Sequence, residues 1–119
     1  MSKKPPARVS ARAASPSGSP KAALTRIAEL VQRGGTPDRV SREVAAIVAG
    51  WLLEAGDERE DVRERLAECR DELSAGVEDA MEQVAGLDAS DKAAMRQGTQ
   101  SLAALVAARD ALNAAYVAL

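Results

Sequence analysis

The side chains in this sequence best placed to do chemistry are carboxylates. Glu60 and Glu64, and then Glu68 and Glu72, stand four residues apart, a spacing that stacks each pair on one face of a helix. A four-helix bundle can aim such pairs inward to hold two metal ions, but sites of that kind take a histidine three residues after a glutamate. The chain contains no histidine. Arg59, Arg63, Arg65 and Arg70 are interleaved with these acids, and Asp61 with Arg65 makes an ordinary i, i+4 pair. The carboxylates are therefore expected to form a solvated face, with no metal site and no cofactor.

Nucleophilic chemistry is equally short of partners. Cys69 is the one cysteine, no serine stands in a nucleophile-elbow setting, and no glycine-rich loop leads into a lysine in phosphate-binding form. Cys69 falls on the apolar stripe of its helix and is expected to be a small buried hydrophobe. Without a histidine to serve as acid or base, the chain is not expected to be an enzyme. A lone cysteine also excludes an internal disulfide, and no charged, apolar, small-residue leader opens the sequence, so a reducing, cytoplasmic setting is expected.

What remains is recognition. The stretch AELVQRGGTPDRVSREVAAIVAGWLL, residues 28 to 53, has the pattern helix, tight glycine turn, helix. A DNA-reading helix-turn-helix places the first residues of its second helix in the major groove and grips phosphates with nearby cations. Arg39 and Arg42 stand at that start, Arg26 and Arg33 lie on the preceding helix, and Lys3, Lys4, Arg8 and Arg12 precede them. Asp38 and Glu43 oppose this reading, as does the lack of Asn or Gln at the groove-facing positions.

Charge is divided along the chain. Residues 1–35 carry seven Lys or Arg against Glu29 alone, whereas residues 36–119 carry nine basic against seventeen acidic side chains. The net charge of −2 therefore conceals a basic arm on an acidic body, able to reach toward phosphates or acidic partners. Residues 1–20 hold four of the five prolines and almost no large apolar side chain, and residues 1–18 are expected to be disordered.

The elements that must position these residues are helices. Apolar residues make up 46% of the chain and aromatics only 2%, so the core must be built from Ala, Leu and Val. That composition suits closely packed helices better than a sheet. Ser19–Pro20 starts a first helix with Leu24, Ile27, Ala28 and Val31 on one face, stopped by Gly34 and Gly35. Thr36–Pro37 starts a second, whose buried face is Val40, Val44, Ile47, Val48, Trp51 and Leu52, ending near Gly56. The apolar run Val44 to Leu53 is far shorter than the roughly 20 residues of a membrane span.

Asp57 with Glu60 reads as a capping box opening a third helix over 57–85, with a stripe of Val62, Leu66, Cys69, Leu73, Val77, Met81 and Val84. Asp88 or Ser90 is the expected cap of a fourth helix over 89–117. Its 3, 4 spacing of Met95, Gly98, Leu102, Leu105, Arg109, Leu112, Tyr116 and Leu119 resembles a heptad seam. From Leu102 onward that helix is apolar around most of its circumference, which calls for several neighbours or an oligomer interface.

The expected architecture is all-α: a disordered basic arm, then one domain over 19–119, a four-helix bundle of two short helices and a long antiparallel hairpin, open to completion by dimerisation. The expected function is a non-catalytic interaction or assembly module that forms a homodimer and contacts a protein partner through Trp51, Leu102, Leu105, Leu112 and Tyr116. A small DNA-binding regulator using the corner and the arm is the alternative.

Overall fold

The structure, a computed structural model, describes residues 19–119; the arm expected over residues 1–18, with Lys3, Lys4, Arg8 and Arg12, lies outside the described residues. Four helices and no strand are found among them: α1 (Pro20–Gln32), α2 (Pro37–Ala55), α3 (Arg59–Ala85) and α4 (Lys92–Ala118). None is long and apolar enough to cross a membrane.

The first two helices start where their capping residues direct. Ser19 Oγ accepts from the Ala22 amide at 3.1 Å, and Thr36 Oγ1 from the Arg39 amide at 3.2 Å, each followed by a proline whose missing N–H costs nothing at that position. Between them the chain reverses through Gly34, whose φ of 82° lies in the left-handed region that a side chain disfavours.

The later starts correct the sequence reading. Asp57 does not cap α3: the helix begins at Arg59 behind Glu58, which makes no side-chain cap bond. The chain is still turning at Asp57, because Gly56 takes a φ of 60° and the Glu58 and Arg59 amides donate back to Ala55 and Asp57. Helix α4 likewise begins later than residue 89, with Asp91 Oδ1 accepting from the Ala94 amide at 3.1 Å. Asp88 instead closes the turn before it, accepting from the Ser90 amide at 3.0 Å and the Ser90 hydroxyl at 2.9 Å. Those bonds hold the Asp88 carboxyl below the usual range by favouring its charged form.

Every pair of helices is in contact, so the bundle closes within one chain. The core contains Ile27 of α1, Val40, Val44, Ile47 and Trp51 of α2, and Val62, Leu66 and Cys69 of α3. On α3 the predicted stripe is buried through Val77 but then ends, with Met81 54% exposed and Val84 half-buried. The cause is length: the 27 residues of α3 span ~40 Å, against ~20 Å for the 13 of α1 and ~28 Å for the 19 of α2. The far half of the α3–α4 hairpin outruns the short helices, and no residue from 78 to 103 is buried.

The face of α4 is rotated from its predicted seam. Ala104, Ala108 and Leu112 are its buried residues, while Leu102, Leu105 and Tyr116 are half-buried. One residue is a rotation of ~100° about the helix axis. Ala104 and Ala108 let α4 approach its neighbours closely, and the larger Leu105 and Tyr116 pack beside that line of contact.

Candidate interaction surface

The carboxylates take up the solvated positions expected of them. Glu60, Glu64, Glu68 and Glu72 are all exposed, and Asp61 is bonded to Arg65 Nη2 at 2.8 Å. Arg65 also reaches toward Glu54 of α2 at 4.0 Å, and its guanidinium lies 5.7 Å from the Trp51 ring centroid. One arginine thus joins the start of α3 to the end of α2. No group of three metal-ligating side chains occurs among the described residues.

Cys69 is fully buried, with its Sγ 3.7 Å from the Pro20 carbonyl, which accepts from the thiol. Burial, reinforced by the nearby charges of Glu68 and Glu72, pushes the thiol up to about 12 from an ordinary 9.0. At neutral pH it is protonated, a packing group and not a nucleophile.

At the glycine corner, two of the four predicted phosphate-binding arginines are already engaged. Arg26 pairs with Glu43, tying α1 to α2, and Arg42 pairs with Asp38 on its own helix. Arg33 and Arg39 have no carboxylate partner among the described residues and are exposed. The corner therefore presents two uncommitted cations on this face, not four.

The five predicted interface residues do not form one surface. Trp51 and Leu112, at 0% and 1% exposure, are core residues and have no surface to offer a partner, a correction to their placement at an interface. Both fall where α4 crosses the short helices, so packing within the chain consumes them. Tyr116 is turned toward α3, its ring centroid 4.8 Å from the guanidinium of Arg63 and 4.8 Å from that of Arg70. Arg70 also donates to Asn113 Oδ1 at 3.3 Å, which fixes the two long helices together on that side. Leu105 borders a different groove, near the glycine corner.

An apolar groove is nevertheless present between α2 and α4. Ala45, Ala49 and Leu52 form one wall and Ala111 and Ala115 the other, above Val44 and Val48. The groove encloses about 260 Å³ and no charged side chain lines it. On the same two helices, Leu53 and Val117 are 85% and 74% exposed. These alanines stand out little in the sequence because alanine carries little hydrophobic signal. The signal that could have found them is their spacing, i, i+4 on each of two helices that also carry large apolar residues.

Comparison with protein-family models, curated proteins and solved structures finds no match to this chain.

Proposed function

We propose that the protein is a non-catalytic helical assembly module that pairs with a second copy of itself through the α2–α4 face. The observation that supports this is the uncharged groove walled by Ala45, Ala49, Ala111 and Ala115 in a chain of which 29% of residues are charged. Its volume of about 260 Å³ falls below the ~300–1,000 Å³ of small-molecule sites. It suits side chains from another helix.

A second copy satisfies that requirement economically. In a two-fold contact the same patch meets itself, so small residues of one subunit can receive the larger apolar groups of the other and the reverse. Alanine walls let two helices approach closely, and each Å² of apolar surface removed from water contributes roughly 25 cal/mol. Leu52 supplies the bulkiest side chain of the groove wall.

The test is molar mass by light scattering or sedimentation across a concentration series. The intact chain is expected to be a dimer at tens of micromolar. Ala49 is exposed, so Ala49→Arg should leave the helical spectrum unchanged and yield a monomer. A monomeric parent chain, or a variant that dimerises as tightly as the parent, would overturn the proposal.

A further inference from the structure

The chain contains four glutamines, Gln32, Gln83, Gln97 and Gln100, and all four line one groove. Gln32 comes from the end of α1, Gln83 from the far part of α3, and Gln97 and Gln100, one turn apart, from the early part of α4. The groove lies where the glycine corner meets the half of the long hairpin that has no buried residue. It shares no lining residue with the α2–α4 face.

Its volume of about 400 Å³ is within the ~300–1,000 Å³ of ligand sites. Ser101 adds a hydroxyl, while Val31 and Leu105 supply aliphatic wall; no charged side chain lines the groove. The four glutamines are exposed, and no side-chain hydrogen bond among the described residues uses their amides. The groove therefore presents neutral donors and acceptors with their bonding capacity unused by the fold.

We propose that this groove binds an extended, uncharged segment of polypeptide. Each glutamine offers an acceptor oxygen and two N–H donors, which match the carbonyl and amide of a peptide bond. Val31 and Leu105 provide apolar wall for small side chains standing between those peptide groups. A charged ligand would be desolvated against aliphatic wall with no counter-charge to meet it. Nucleobases are bound largely by stacking, and neither Trp51 nor Tyr116 borders this groove. A peptide, whose own polar groups are amides, matches this neutral, amide-rich lining.

The glutamines supply their own readout. Besides them, Asn113 is the one other residue with a side-chain carboxamide, and it lies outside the groove beside Arg70. The carboxamide region of a nitrogen–proton correlation spectrum of the full chain thus contains four groove pairs and one internal control. The probe is an end-capped octapeptide of alternating alanine and serine, with two further versions carrying lysine or aspartate in place of two serines. The expected result is saturable movement of the four glutamine signals with Asn113 unmoved, and at least tenfold weaker binding of both charged peptides. The double variant Gln97→Leu, Gln100→Leu, changed at exposed positions only, should lose saturation while its melting temperature stays within a few degrees of the parent. Stationary glutamine signals, movement shared by Asn113, equal affinity for a charged peptide, or undiminished binding by the variant would each overturn the proposal.

Discussion

Cys69 shows how one residue acquires its character from its surroundings. Its place on the α3 stripe was legible from spacing alone, because a period near 3.6 puts it on the line of Val62, Leu66 and Leu73. Its contact with the Pro20 carbonyl was not, since that contact joins positions far apart in the chain. The folded state holds the thiol proton more tightly than the unfolded chain does. The resulting stabilisation is complete below pH 9.0 and is lost as pH rises through about 12. The melting temperature should fall across that window, and Cys69→Ala, though less stable at neutral pH, should fall less steeply; equal slopes would deny the linkage. At neutral pH a thiol reagent should modify Cys69 only at the rate of unfolding, and fast labelling of the native protein would contradict its burial.

Among the elements, the two glycines inside the long helices look alike in sequence and differ in structure. A methyl group at Gly76 would meet no atom within 4 Å, whereas one at Gly98 would lie 3.2 Å from Val84 Cγ2 and 3.3 Å from Leu87 Cδ1. Gly98 therefore sits in close contact with the end of α3 and the turn that follows it, and Gly76 is a position of low helix propensity with open space around it. Gly76→Ala should stabilise the fold by about 1 kcal/mol, the propensity difference between the two residues. Gly98→Ala should gain less than Gly76→Ala, because Val84 and Leu87 must give by a few tenths of an ångström to admit the methyl group. Thermal denaturation of the two variants checks the contrast, and equal stabilisation by both would show that the hairpin tip is not packed as described. Capping signals located α1 and α2 well, since Ser19–Pro20 and Thr36–Pro37 act within a few residues. They misplaced the starts of α3 and α4, where several acids and Ser90 compete and the turn geometry selects among them.

For the molecule as a whole, the charge division raises the question of DNA. The corner has Arg33 and Arg39 as cations without carboxylate partners among the described residues, since Arg26 and Arg42 are paired. Each phosphate contact would add about −0.9 to the slope of log affinity on log salt. Replacing Arg33 and Arg39 together by alanine is expected to leave both duplex affinity and that slope unchanged in an anisotropy titration. A loss of affinity with a shallower slope would make the corner a nucleic-acid site and displace the assembly reading. The sequence by itself determined that the chain is helical, where two of the helices begin, and which faces of α2 and α3 are apolar, because these follow from composition, capping and periodicity over short distances. Only the tertiary structure decided which way α4 faces, where the short helices stop covering the long ones, and that Gln32, Gln83, Gln97 and Gln100 share a groove. An almost continuously apolar helix such as α4 carries no internal instruction about its orientation, so the close packing that its alanines permit against three neighbours fixes it.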